Sequence, residues 1–189
     1  MIKEESRIDV TAILMAELIH TYPDGRINLR KSLCSSDASK DDVIFVGALF
    51  HDVTKGIEPH HKTGAQLIKT ILYEECSEKE LGEISEIIEF HNSRNREDLP
   101  FHIKIIQDAD ILDHFGTLEV WLKFMYSAHK EENVFDAIRL WNSTENLEYI
   151  RASKESLNFE LSKEIFDKRI EFVTLFQKQF KKECYGNLY

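Results

Sequence analysis

A set of histidine and aspartate residues in the first two thirds of the chain has the chemistry to hold a divalent metal ion. The set comprises His51 and Asp52, then His60, His91, and Asp110 with Asp113. Neutral imidazole nitrogens and carboxylate oxygens suit a borderline or hard divalent ion, whereas a softer ion prefers thiolates. His51 and Asp52 are adjacent at the end of an apolar run, so on a helix they point about 100° apart and can approach one ion from neighbouring directions.

The later members of the set have helical spacing. Asp110 and Asp113 are three residues apart, which lets one carboxylate bind a metal while the other orients a neighbouring ligand. His91 ends an apolar stripe that includes Ile84, Ile87 and Ile88, so we expect it at the core-facing edge of its helix. Taken singly, each residue is more often a structural or solvent-facing group, and only the ordered set favours a site.

The elements that position these residues are predicted to be helices. Three Pro and seven Gly leave few turns, and apolar residues recur every three or four positions, so we expect an all-α chain. The apolar run 43–50 could also be a buried strand, but no partner strand is evident. The predicted helices are Ile8–Ile19 with a turn at Pro23–Gly25, then Val43–Phe50, Pro59–Leu72, Leu81–His91, Ile103–Phe115, Thr117–His129, Asn133–Trp141 and Phe159–Phe180, with residues 28–40 a weakly structured connection or a short extra helix.

Length and charge exclude several classes of function. The 189 residues predict a single compact helical domain over 1–189, and the formal charge of −10 argues against a nucleic acid polymer as partner. No apolar run approaches the roughly 20 residues of a membrane span, and the amino terminus lacks the apolar core of a signal peptide. We therefore expect no membrane association and a cytoplasmic location. The three Cys residues are widely spaced and are expected to be reduced thiols.

Four runs in the chain resemble motifs of the HD superfamily of metal-dependent phosphohydrolases. They are GALFHDVTKG (47–56), HHKTGA (60–65), IIEFHN (87–92) and QDADILDHFG (107–116). The resemblance covers about residues 8–116, so the fold that it implies is the HD-type helical bundle, which helices in 117–189 complete. The run 163–183 more faintly resembles the closing helix of small stand-alone HD hydrolases.

The resemblance implies roles for individual residues. His51, Asp52 and Asp110 match the metal ligands, whereas the expected role of Asp113 beside them rests on its spacing from Asp110. His60 and His91 match residues that hold a second ion or face the substrate phosphate. The implied catalytic residues, which act on water or phosphate, are Asp52, His60, His91 and Lys55.

The first metal ligand of the family departs from its usual pattern here. It is normally a His on the opening helix, followed three residues later by Arg. His20 lies at roughly the usual distance before His51, but Pro23 stands where the Arg should be, and the alternative registration puts Ser6 or Arg7 at the ligand position. Either His20 binds the metal from a displaced turn or the site lacks one ligand.

The activity implied by the resemblance is hydrolysis of a small phosphate ester or a nucleotide by water activated at one or two divalent ions. Manganese, iron, nickel, cobalt and magnesium all suit such mixed ligands. Two alternatives remain open: a non-catalytic nucleotide-binding or regulatory module with a degenerate metal site, and a di-iron oxygenase of the same fold. The expected partner is therefore a small phosphorylated substrate or nucleotide.

Overall fold

The computed structural model describes residues 23–34 and 38–188, and all the regular elements in these residues are α-helices. The prediction of an all-α fold is therefore confirmed. The predicted opening helix Ile8–Ile19 and His20 lie outside the described residues. The helices are α1 Pro23–Leu33, α2 Asp41–Phe50, α3 His60–Ile71, α4 Glu78–Phe90, α5 Phe101–Asp113, α6 Thr117–His129, α7 Val134–Trp141, α8 Thr144–Glu155 and α9 Glu160–Cys184.

Two sequence predictions about local structure are wrong. Pro23 and Gly25 form the first turn of α1 rather than a turn between elements, because the fixed φ of proline suits the first helical position, where no N–H is needed. Helix α8 was not predicted, because among its residues only Ser153 is buried and the apolar stripe is weak. A local signal does exist, since the Ser143 hydroxyl accepts the Asn146 N–H at the start of α8.

The contacts divide the chain into two compact units, 1–109 and 110–189, with the boundary inside α5. In the first unit, α2 and α3 both pack on α4. Ile44, Ile68, Ile87 and Ile88 are fully buried there. The ambiguous run 43–50 is therefore a helix that buries one face, while Phe45 and Leu49 are exposed.

In the second unit, α7 and α9 pack with α6 around aromatic side chains. Phe124, Trp141, Phe176 and Phe180 contact one another with ring centroids 5.5–6.2 Å apart. The prediction that the whole chain forms one domain stays a prediction. No helix in the described residues is long and apolar enough to cross a membrane.

Candidate metal centre

Two histidines meet because their helices approach very closely. Gly47 of α2 faces Ile87 of α4 so closely that a Cβ atom at Gly47 would lie 2.7 Å from two Ile87 carbons. His51 lies four residues after Gly47, and His91 lies four residues after Ile87. Each histidine directly follows the last residue of its helix. One helical turn beyond the glycine contact, the centroids of the two imidazole rings are 5.3 Å apart. Both rings are buried.

A third histidine joins them from the start of α3. Gly64 of α3 packs against Ile88 of α4, where an added Cβ atom would lie 3.1 Å from the Ile88 side chain. The Thr54 hydroxyl donates a hydrogen bond of 2.7 Å to the carbonyl oxygen of His60, which fixes the loop after α2 to the first turn of α3. The His60 ring consequently lies 5.4 Å from the His91 ring.

The carboxylate of Asp52 lies among the three imidazoles. Its Oδ1 atom is 3.6 Å from Nε2 of His60 and 3.6 Å from Nε2 of His91. Its Oδ2 atom is 3.7 Å from Nε2 of His51 and 2.5 Å from the Nζ atom of Lys55. The histidine distances exceed those of ordinary hydrogen bonds, so the nitrogen and oxygen atoms face one another across a small gap.

The opposite nitrogen of the two buried imidazole rings is already held. Nδ1 of His51 is 2.8 Å from the carbonyl oxygen of Ala48, and Nδ1 of His91 is 2.7 Å from that of Ile88. A carbonyl oxygen only accepts hydrogen bonds, so Nδ1 carries the proton in both rings and a neutral ring presents its lone pair at Nε2. This is the arrangement of metal-binding histidines, whose second nitrogen is fixed by a carbonyl or carboxylate.

His60 is oriented differently, by an acidic side chain. Its Nδ1 atom lies 3.1 Å from each carboxylate oxygen of Glu58, which also accepts the backbone N–H of His60. Sequence analysis missed Glu58. The signal available in the sequence was an acidic residue two positions before a histidine at the start of a helix.

The donor set fits a divalent metal ion. One ligand atom from each of Asp52, His60 and His91 lies within 4.8 Å of the other two. Bonds of about 2.1 Å place neighbouring ligand atoms of a metal ion about 3.0–3.4 Å apart. The Oδ1–Nε2 separations of 3.6 Å are close to that range, and the mixed nitrogen and oxygen donors suit several divalent ions.

The electrostatic surroundings keep the carboxylate of Asp52 ionised. Burial raises the pKa of Asp52, but the protonated forms of His91 and His51 and the Lys55 ammonium lower it more, so without a bound ion the pKa lies well below its usual range. A carboxylate that stays ionised at neutral pH is available as a metal ligand. Lys55 itself is partly exposed, so its ammonium group remains accessible to a phosphate from solvent.

Two other predicted residues, Asp110 and Asp113, belong to α5. Asp110 is buried near the end of α5 at the start of the second unit, and its carbonyl oxygen lies 2.8 Å from Nδ1 of His114. Asp113, the last residue of α5, lies close enough to Arg169 for its charge to act on that guanidinium. The metal-related roles of Asp110, Asp113 and His20 stay predictions.

Comparison with known proteins identifies a family for most of the motif region. The family model for the HD domain matches residues 9–114, which is more than half of the chain. No curated protein sequence matches the chain significantly.

Solved structures share the fold at low sequence identity. An HD-superfamily hydrolase from Bacillus thuringiensis has a TM-score of 0.63 at 22% identity, covering 88% of this chain and 82% of that one. A predicted HD superfamily hydrolase from an uncultured Thermotogales bacterium has a TM-score of 0.57 at 21% identity, covering 87% and 79%. Bacillus subtilis YpgQ in complex with ADP has a TM-score of 0.63 at 19% identity, covering 88% and 85%.

Proposed function

We propose that this chain, which belongs to the HD-domain family, is a metal-dependent phosphohydrolase that acts on a small phosphate ester or a nucleotide. The observation that carries the proposal is the cluster of Asp52, His60 and His91, whose ligand atoms lie within 4.8 Å of one another. The hydrogen bonds of His51 and His91 support the proposal. In both rings Nδ1 donates to a backbone carbonyl oxygen, so Nε2 presents the lone pair that can bind an ion beside Asp52.

Asp52 and His51 are proposed to hold one ion, with Asp110 and His20 as further ligands. His60 and His91 are proposed to hold a second ion beside Asp52 when one is present. A divalent ion in this position would lower the pKa of a bound water molecule, and its positive charge would offset the negative charge on the phosphoryl oxygens. The surroundings of Asp52 keep its carboxylate ionised, as a metal ligand must be. Nδ1 of His51 donates its proton in a hydrogen bond to a carbonyl oxygen, which leaves Nε2 as the atom that can bind the ion. Asp113 is proposed to orient the ligands on α5 without binding the ion itself.

Lys55 and His60 are proposed to act on the substrate. The Nζ atom of Lys55 contacts Oδ2 of Asp52 and is partly exposed, so it can pair with a phosphate oxygen without leaving the site. The side chain of His60 is 17% exposed against 4% for His91, so His60 is the histidine that can reach a leaving group. The Glu58 carboxylate accepts a hydrogen bond from Nδ1 of His60, which orients the ring so that its Nε2 atom can act on the departing oxygen.

His91 differs from His60 because it is buried and held by a backbone carbonyl. These features suit a ligand better than a proton donor, since a buried ring has little contact with solvent. We also propose a two-metal form of the site, in which His60 and His91 hold a second ion.

A nucleotide is the favoured substrate among phosphate esters. The support is that Bacillus subtilis YpgQ, which has a similar fold, was solved in complex with ADP. The formal charge of −10 makes a polyanionic nucleic acid an unfavourable partner, whereas the local charge of Lys55 and a metal ion suits a single small anion.

The test is metal content and turnover on the same preparations. Purified protein is loaded with manganese, cobalt, nickel, ferrous iron or magnesium and assayed for phosphate release from nucleotides and simple phosphate esters. We expect at least one ion to support turnover and Asp52→Asn to abolish both metal binding and activity. Asp98→Asn is the control, because this carboxylate is 66% exposed and pairs only with Arg96 among the interactions described.

Three results would contradict the proposal. Phosphate release that survives Asp52→Asn would place the activity elsewhere or in a contaminant. Nucleotide affinity without metal binding or turnover in any loaded preparation would instead support the non-catalytic module. Oxygen consumption by the iron form would support the oxygenase.

A further inference from the structure

A cavity of about 200 Å³ lies within the second unit, lined by the residues just after α5 and by helices α6 and α8. Helix α6 contributes Glu119, Lys123 and Tyr126, which lie on one face because Lys123 and Tyr126 follow Glu119 by four and seven residues. Helix α8 contributes Asn146 and Tyr149. All of these residues belong to the unit 110–189.

The carboxyl group of Glu119 is the unusual feature of this cavity. Glu119 is only 8% exposed, and its Oε2 atom is buried with no hydrogen-bond partner among the described residues. The Gly116 N–H at the start of α6 lowers the pKa of this carboxyl group, but it does not give Oε2 a hydrogen bond. A buried acceptor without a partner is destabilising. A purely structural role does not explain why Glu119 keeps a second carboxyl oxygen at this buried position.

Lys123 lies one helical turn after Glu119 and is also half-buried. Burial lowers the pKa of Lys123, and the charges of Glu119 and Glu132 oppose that effect. No ion pair joins Glu119 to Lys123 in the part of the chain that the structure describes. The cavity wall therefore presents a hydrogen-bond acceptor next to a donor, with neither satisfied by the other.

The remaining walls are flat and aromatic. The ring of Phe115 stacks on the ring of Tyr149, with centroids 5.6 Å apart and planes 23° from parallel. Tyr149 and Tyr126 are each about half exposed, so the opening is bordered by rings on which a planar ligand can stack.

These features select a class of ligand. The carboxylate of Glu119 disfavours a phosphate, and the ammonium of Lys123 disfavours a metal cation or an amine. A planar heterocycle with an N–H donor beside a nitrogen or oxygen acceptor matches both groups and the aromatic walls. We propose that the cavity binds a nucleobase-type ring, with its N–H donating to the carboxyl group of Glu119 and its neighbouring acceptor facing Lys123.

The proposal uses contacts of the second unit alone and does not require that the metal centre hydrolyse phosphate. It is tested with free nucleosides, which lack a phosphate, in buffer with EDTA to remove metal. Adenosine, guanosine, cytidine and uridine are titrated separately into the full-length protein by calorimetry and by saturation-transfer NMR.

We expect at least one nucleoside to bind to the wild type and Glu119→Ala to weaken that affinity about tenfold or more. Tyr149→Ala should weaken it about as much through lost stacking. The matched control is Glu148→Ala, which removes an exposed carboxylate beside Tyr149 and should leave the affinity unchanged.

Circular dichroism checks that each variant is folded. If Glu119→Ala does not fold, Tyr149→Ala decides the question, because its half-exposed side chain contributes less to the core. The proposal is overturned if none of the four nucleosides binds, or if a folded variant of Glu119 or Tyr149 binds as tightly as the wild type. Either result leaves the metal-dependent activity to be judged by its own assay.

Discussion

Substitution of Glu119 by Gln should stabilise the protein at alkaline pH and have little effect at acid pH. The substitution keeps the shape of the side chain and removes its charge. Burial raises the pKa of Glu119 from 4.5 to about 7, an effect that the Lys123 charge and the Gly116 N–H oppose. The folded protein therefore binds the Glu119 proton more tightly than the unfolded chain does. This contribution to stability is present at acid pH and is lost as the pH rises through the folded pKa.

The magnitude follows from the two pKa values. Each unit of pKa difference corresponds to about 1.4 kcal/mol, so complete ionisation of Glu119 costs the folded protein roughly 3 kcal/mol relative to the unfolded chain. Between about pH 5 and about pH 8.5 the linkage relation gives a loss of roughly 2.5 kcal/mol in the free energy of unfolding. A neutral glutamine at this position has no such loss, so the variant should be more stable by about that amount at the higher pH.

The assay is urea unfolding at both pH values, followed by tryptophan fluorescence, because Trp141 is buried in the second unit. His114, Lys123, Tyr126 and Tyr149 line the same cavity and are present in both proteins, so the comparison between variant and wild type largely cancels their contributions. Glu148→Gln, at an exposed position, should show no pH-dependent difference from the wild type. A stability difference for Glu119→Gln that is equal at the two pH values, or larger at the lower one, would refute this reasoning.

Three further predictions concern the first unit. Gly47→Ala should destabilise the protein by about 1–3 kcal/mol because its Cβ would lie 2.7 Å from Ile87. Gly82→Ala, whose Cβ would have no atom within 4 Å, should instead stabilise the protein by about 0.5–1 kcal/mol. Thermal unfolding compares the two variants, and equal effects would contradict the packing argument. Glu58→Gln should lower turnover about tenfold by releasing the His60 ring, which the phosphate-release assay of the metal-loaded protein measures; an unchanged turnover would exclude this role. Manganese at about 100 times its dissociation constant should stabilise the wild type by about 2.7 kcal/mol but leave Asp52→Asn unchanged in the same melting experiment.

The helices of the first unit were largely predictable from local patterns. The apolar stripe that ends at His91 and the start of α3 near Pro59 were both placed within a few residues by spacing alone. In the second unit, helix α8 was missed because an exposed helix leaves little apolar periodicity to detect. Pro23 was misplaced because proline is common both in turns and at the first position of a helix.

The order of Asp52, His60 and His91 along the chain was enough to nominate a metal site, because these residue types have the donor atoms that divalent ions prefer. Motif spacing also indicated the family. Local sequence is sufficient for such statements, since donor chemistry belongs to the side chain and the motif to the order of residues.

Tertiary structure decided which atoms of those residues face one another. Only the contact of Gly47 with Ile87 brings the ends of α2 and α4 close enough for the rings of His51 and His91 to meet. The carbonyl oxygens that hold their Nδ1 atoms, and the burial that raises the pKa of Glu119, likewise depend on where the folded chain removes groups from water. These distances and the burial of each group depend on neighbours that are remote in sequence, so they are determined only when the helices pack.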